Sequence, residues 1–201
     1  MSTESFNTRT LYTSDSSCTY KQGNTSVVVG VCGPRENKNL SANPKSMAFD
    51  ISVRSGAGTP TPLERLMEST LLYALVRVVA VDSFPSHSLS ISVGILSDDG
   101  GAFAAVINAV MFAVIDLGIQ LKRIAFAAFV SLEDEDCDNM QMLSEKRCAK
   151  TLTQVFCMLT NQILFSYHTG DIQLDHISKA SSRCLDLAKL NARKDGTDII
   201  Y

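Results

Sequence analysis

The chain has no tryptophan, no pair of cysteines in C-x-x-C spacing and no apolar run of membrane-spanning length. Each absence excludes something. Without C-x-x-C pairs, a zinc ribbon or a thioredoxin-type redox site is not expected. The longest apolar run, Ala102 to Ile115, is interrupted by Asn108, and it is shorter than the roughly 20 residues that cross a bilayer. No membrane segment is therefore expected. The first sixteen residues are polar, rich in Ser and Thr, and hold no apolar h-region, so no secretory signal is expected. The formal net charge of −3 removes any overall attraction to nucleic acid and leaves RNA contact to a local basic patch. Basic and aromatic residues are not interleaved, which disfavours a stand-alone module that stacks single-stranded bases. No repeat at a fixed spacing is present.

What remains is a globular balance. The chain has 201 residues, 45% hydrophobic and 19% charged, enough for a sizeable core and one domain over residues 1–201. The cysteines are Cys18, Cys32, Cys137, Cys148, Cys157 and Cys184. Free cysteine is among the most buried residue types, so these are expected to be reduced thiols, several in the core, of a cytosolic or nuclear protein.

Read along the chain, the N-terminal third predicts strands. Thr10–Thr13 and Cys18–Tyr20 are short β-prone pieces, and Gln22-Gly23-Asn24 is a tight turn. Thr25–Cys32 is a β-branched strand expected to end at Gly33-Pro34. Residues 37–45 form a polar loop, and Met47–Arg54 alternates with the period of a half-buried strand. A Gly/Pro linker, Ser55–Pro62, precedes a helix over Glu64–Val79. Leu66, Leu71, Leu75 and Val79 are its apolar face, while Glu64, Glu68 and Arg77 can face out. Leu89–Leu96 is a strand, followed by a helix from about Ala102 that is apolar almost all round and so central, with Gly118 as its C′ residue. Ile124–Leu132 predicts another strand. Cys148–Thr160 and Ile163–His168 favour strands, His176–Asn191 predicts an amphipathic helix, and the tail from Lys194 predicts disorder. The element order implies α+β layers.

One stretch stands out: Ser97-Asp98-Asp99-Gly100-Gly101 opening directly into that apolar helix. Helix N-termini carry unpaired N–H groups with partial positive charge, suited to holding a phosphate. The side chains that would finish such a site are missing, because positions 102 and 103 are Ala and Phe.

Three segments together resemble one family. They are Gln22-Gly23-Asn24-Thr25-Ser26-Val27 running on to Gly33-Pro34-Arg35-Glu36, the helix start Glu64-Arg65-Leu66, and Asp99-Gly100-Gly101…Asn108-Ala109…Asp116-Leu117-Gly118. In this order the chain resembles ribonuclease PH, and within that family the small subunits of the eukaryotic RNA exosome ring, over roughly residues 8 to 192. The resemblance implies an α+β fold of β-α-β-α type with helices packed on sheets. It implies a hetero-hexameric ring of ribonuclease PH-like subunits as partners, single-stranded RNA in the ring channel, and residence in the nucleus, nucleolus and cytoplasm. Active members shorten RNA from the 3′ end with inorganic phosphate as attacking group, and they carry Thr-Arg where this chain has Ala102-Phe103. Phe cannot offer the bidentate guanidinium contact that suits phosphate. The implied role is noncatalytic, with no catalytic residue, no metal and no cofactor. The competing reading is an active homodimeric ribonuclease, phosphorolytic or metal-dependent.

The candidate residues follow. By the resemblance, Arg54 and Arg65 flank a region near the RNA path and would contact backbone phosphates without reading sequence. Lys21 and Arg35 are weaker candidates of the same kind, and Lys122-Arg123 is expected to be solvated. The acidic run Glu133, Asp134, Glu135, Asp136 and Asp138 is expected to be a solvated loop rather than a cation site. The family's catalytic Asp falls between Asp138 and Glu145 without matching one residue. His87, His168 and His176 lack metal or triad spacing. Asn108, in the buried helix, is expected to be a satisfied structural amide.

Overall fold

The computed structural model describes residues 4–36, 46–56, 59–131, 150–170 and 174–193. Strands β1 (Glu4–Thr8), β2 (Ser16–Gln22), β3 (Thr25–Glu36), β4 (Ala48–Arg54) and β5 (His87–Ser97) form one sheet in the order β1-β2-β3-β5-β4. Its pairings are antiparallel except β4 with β5. A parallel pair cannot be joined by a tight turn, and helix α1 (Pro62–Val78) makes the crossover. A second, antiparallel sheet orders β6 (Ala125–Ser131), β7 (Thr151–Cys157) and β8 (Ile163–Thr169). Helix α2 (Ala102–Leu117) packs against β2 and β3 of the first sheet and β6 of the second. Helix α3 (Leu174–Arg193) covers β6 and β7. The architecture is the expected α+β one, helices on sheets.

The apolar character of α2 is explained by this placement. Every residue from Ala102 to Val114 is buried, because both sides of the helix meet a sheet. Phe112 stacks on Phe6 of β1 at 4.4 Å and lies 5.2 Å from Phe126 of β6. Gly118, with φ 74°, ends the helix and donates its N–H to Ile115 O, a conformation Cβ-bearing residues disfavour. Asn108 is fully buried, and its amide pairs with the backbone of Ala127 in both directions. Nδ2 donates to Ala127 O at 3.1 Å, and Ala127 N–H donates to Oδ1 at 2.8 Å. Strand β6 is the edge of its sheet, so the Asn108 amide does there what a neighbouring strand would otherwise do.

The described cysteines are free, with Cys18, Cys157 and Cys184 buried and Cys32 half-buried; Cys137 and Cys148 lie outside the described residues. No described helix is long and apolar enough to cross a membrane. The polar loop at 37–45 and the tail from Lys194 also lie outside the described residues.

Several local expectations are corrected. Thr10–Thr13 is not a strand; the strand lies earlier, at Glu4–Thr8, and residues 9–15 turn over the sheet, closed by Arg9 N–H donating to Ser17 O at 2.8 Å. Strand β3 does not stop at Gly33-Pro34 but runs on to Glu36, because a register shift between Cys32 and Arg35 takes the proline out of the ladder. Glu64 does not face out. It is 5% exposed, and its carboxylate closes the Gly/Pro linker.

Candidate functional site

Two motifs far apart in sequence meet at one end of the five-stranded sheet. The Gln22–Thr25 turn, with Gly23 at φ 59°, reaches the 98–101 turn through side-chain hydrogen bonds. Thr25 Oγ1 donates to Gly100 O at 2.7 Å and accepts from Asp99 N at 3.1 Å. Asn24 Nδ2 donates to Asp99 Oδ2 at 2.9 Å, and Ser97 Oγ donates to Asn24 O at 2.6 Å. The turn that delivers α2 is thus held by a second turn. Gly101 then sits at φ 73° with Phe129 3.5 Å from where a Cβ would be, and no side chain caps the helix.

This scaffold presents little to an anion. The Gly100 N–H already donates to Asp98 Oδ1 at 2.9 Å, so one backbone donor is occupied by a carboxylate. Asp98 and Asp99 add negative charge at the turn, which opposes a bound phosphate. Ala102 and Phe103 are each 3% exposed. The Phe103 ring lies 5.3 Å from Tyr167 and 6.0 Å from Phe165, within 8° of parallel to both. Phe165 and Tyr167 sit two apart on β8, so strand alternation puts both on the face turned toward α2. Sequence reasoning missed this stack, although the alternation of Phe165 and Tyr167 signalled an aromatic face awaiting a partner.

The two arginine candidates lie around the linker. Arg54 ends β4 opposite Gly94 of β5, at the same end of the sheet as the glycine turn. It is already engaged: Nη1 lies 3.0 Å from Glu68 Oε1 and donates to Val53 O at 2.6 Å. The same Glu68 oxygen accepts from Val53 N at 2.9 Å, sealing the open edge of β4. Arg65, in the first turn of α1, is exposed and makes no ion pair among the described residues. Between them Glu64 acts as a clamp. Its Oε1 accepts from Ser55 N at 2.7 Å and Ser55 Oγ at 2.5 Å, and its Oε2 accepts from Thr61 N at 2.7 Å. The last of these, with Thr61 Oγ1 accepting from Glu64 N, forms a capping box.

Those donors, the Ser55 hydroxyl foremost, hold the Glu64 carboxyl at about 2 against an ordinary 4.5. A depressed folded-state pKa contributes stability above the unfolded value and loses it as pH falls toward the folded one. The expected result is a melting temperature that declines as pH drops from about 4.5 toward 2. Glu64→Gln removes the charge-assisted bonds, costs about 1.5–3 kcal/mol at neutral pH, and flattens that decline in a pH series of thermal melts.

The remaining candidates stay apart. Lys21 is exposed on β2, and Arg35 pairs with Asp15 at 3.3 Å. Lys122 pairs with exposed Asp82 at 2.6 Å, while Arg123 is exposed. His87 donates from Nδ1 to Pro85 O at 2.7 Å, His168 is exposed on β8, and His176 lies on α3. Among the described residues no group of three or more His, Cys, Asp or Glu side chains could hold a metal ion. The acidic run Glu133 to Asp138 and the stretch to Glu145 lie outside them.

Fold and turn together define a ribonuclease PH-like α+β protein whose central helix begins Ala-Phe instead of Thr-Arg. Residues 3–120 match the model of the 3′ exoribonuclease family, domain 1, and the chain belongs to this family. It is 31% identical over 115 residues to the exosome complex component rrp46 of Schizosaccharomyces pombe, covering 57% of this chain and 51% of that protein. It is 26% identical over 111 residues to the exosome complex exonuclease RRP46 homolog of Arabidopsis thaliana, covering 55% and 46%. The chain spans about half the length of these two relatives. The putative exosome complex component RRP41 of Caenorhabditis elegans matches at 26% identity over 191 residues, covering 86% and 78%. The crystal structure of rice Rrp46 superposes with a TM-score of 0.88 at 20% identity, covering 98% of this chain and 94% of that one. A chain of the Archaeoglobus fulgidus exosome with RNA bound to the active site gives 0.78 at 14% identity, covering 96% and 88%. The structural likenesses establish the fold.

Proposed function

We propose that this chain is a noncatalytic subunit of an exosome-type ring. It pairs with other ribonuclease PH-like subunits in a hetero-hexamer and supports 3′-to-5′ RNA processing and degradation by completing the ring and helping to line its channel. The observation that carries the noncatalytic reading is Phe103. Phosphorolysis needs cationic donors on the phosphoryl oxygens, and here a buried phenyl ring stacks on Phe165 and Tyr167 where the family resemblance calls for a guanidinium. The names of the relatives support the ring reading. Arg65, exposed and unpaired among the described residues, is the stronger RNA-phosphate contact. Arg54, held by Glu68, is the weaker one. The subunit would reside in the nucleus, including the nucleolus, and in the cytoplasm.

The test is a labelled single-stranded RNA incubated with the pure protein, with and without phosphate, and with magnesium or EDTA. RNA intact in every condition is the expected result. Phosphate-dependent release of nucleoside diphosphates overturns the noncatalytic reading in favour of a phosphorolytic homodimer. Magnesium-dependent release of monophosphates overturns it in favour of a metal-dependent ribonuclease.

A further inference from the structure

The turn between β1 and β2, residues 9–15, holds an aromatic side chain entirely outside the fold. Tyr12 is fully exposed, and Leu11 beside it is 38% exposed. Such a loop would ordinarily be loose, but this one is tied at both ends and in the middle. Arg9 N–H donates to Ser17 O at 2.8 Å, Leu11 N–H donates to Ser17 Oγ at 2.9 Å, and Thr19 Oγ1 donates to Thr10 Oγ1 at 3.0 Å. Asp15 Oδ2 accepts from Gly33 N at 2.8 Å. The loop lies directly on the outer face of the five-stranded sheet over Gly30. A Cβ there would stand 2.6 Å from Ser14 Oγ and 3.3 Å from Leu11 Cδ1. Arg9 takes φ 57°, a left-handed conformation that costs a non-glycine residue free energy and persists only where its surroundings enforce it.

Arg9 opens the loop, and Arg35 on β3 pairs with Asp15 at its far end, so both arginines are charge-balanced within the chain. Arg9 Nε lies 3.6 Å from Asp116 Oδ1, and Arg35 Nη2 lies 3.3 Å from Asp15 Oδ2. Their side chains are nonetheless 81% and 66% exposed. A nucleic-acid strand draws its affinity from uncompensated cations, which this surface does not offer. A protein surface suits it better, because Tyr and Arg are the residue types that carry most interface energy. An aromatic side chain presented by an already ordered loop also loses little entropy on binding.

We infer that the β1–β2 loop is a protein-docking anchor. Tyr12 enters an apolar pocket on a neighbouring ring subunit that supplies an acceptor for its phenol O–H. Leu11 packs at the rim, and Arg9 and Arg35 turn their free guanidinium edges to the partner's carbonyls or carboxylates. The identity of the partner as a ring subunit rests on the proposed function; the anchor itself rests on the loop.

The test co-purifies the full chain with the ribonuclease PH-like subunits of the same genome and titrates its incorporation into the assembly. Tyr12→Ser is expected to weaken incorporation about 30-fold, as loss of an interface hot spot does, with the melting temperature unchanged because the side chain touches nothing in the monomer. Tyr12→Phe keeps the ring and retains most of the affinity. Ser17→Ala, which frees the Leu11 N–H, weakens incorporation by a smaller factor by loosening the loop. A photo-reactive benzoylphenylalanine at position 12 is expected to cross-link to a protein subunit. Incorporation of Tyr12→Ser at wild-type affinity, or a cross-link only to added RNA, overturns the anchor. Failure of the wild-type chain to join any assembly overturns the ring reading and this choice of partner with it.

Discussion

Phe103→Arg is expected to destabilise the protein severely and to leave it without phosphorolytic activity. The substitution restores the charge that the family resemblance calls for, but it places a guanidinium where a 3% exposed ring stacks on Phe165 and Tyr167. The described rings stacked on Phe103 are Phe165 and Tyr167, neither of them a carboxylate, so the stack itself offers a guanidinium no counter-ion. An uncompensated buried charge costs about 3–5 kcal/mol, which for a chain of this size lowers the melting temperature by on the order of 10 °C. The two aromatic faces return a part of this as cation–π attraction, about 1–2 kcal/mol when desolvated. Any variant molecule that folds still meets Asp98 and Asp99 at the turn, with the Gly100 N–H committed to Asp98. Phe103→Leu keeps the apolar contact and is expected to cost only about 1 kcal/mol. Thermal melts of the two variants, with the phosphate-dependent RNA assay run on each, decide the matter. A Phe103→Arg protein that melts with the wild type, or that releases nucleoside diphosphates, would show that position 103 is not closed off by its neighbours.

The second large effect is expected at Asn108. Asn108→Leu preserves volume and leaves the backbone of Ala127 without its amide partner among buried residues 125–130 of β6. The Ala127 N–H loses its acceptor entirely. The carbonyl keeps a weaker donor in Asn191 Nδ2 at 3.4 Å, so the N–H dominates. An orphaned buried backbone group costs about 1–3 kcal/mol, and the total expected loss is about 2–4 kcal/mol. Urea unfolding should show a lower midpoint with little change in slope, since the folded state buries the same surface. Amide exchange at Ala127 should accelerate more than exchange across the five-stranded sheet. An unchanged midpoint would mean that water or a shifted β6 satisfies the edge, and that Asn108 is dispensable.

Both predictions concern residues whose type was legible in the sequence and whose neighbours were not. The apolar helix with one amide was readable as central, because a helix without a polar face must be covered on every side. The Gly23 turn and the Gly118 stop were also local matters, governed by backbone sterics within a few residues. The same holds for the alternation of β4, which placed its inward face.

Failures of the linear reading share one cause. Glu64 and Glu68 fit the exposed side of an isolated helix, yet Glu64 reaches the linker and Glu68 reaches β4. Hydrophobic periodicity reports what a residue avoids, and a carboxylate bonded to Ser55, Thr61 or Val53 avoids nothing. Thr10–Thr13 has strand propensity, but Ser17 and the absent side chain of Gly30 offer those residues a turn instead. Pro34 signals a strand end only where the ladder needs its N–H, and the shifted register there does not. By itself the sequence determined most of the element types, the central place of α2 and the absence of Thr-Arg after the glycines, because these depend on residue chemistry over a few neighbouring positions. Only the tertiary structure decided that the vacated position is filled by an aromatic stack, that Asn108 completes a sheet edge and that Tyr12 stands clear of the fold. Those facts depend on which of many distant side chains arrive at one place, and contacts across 19 to 75 residues leave no periodic trace in the chain.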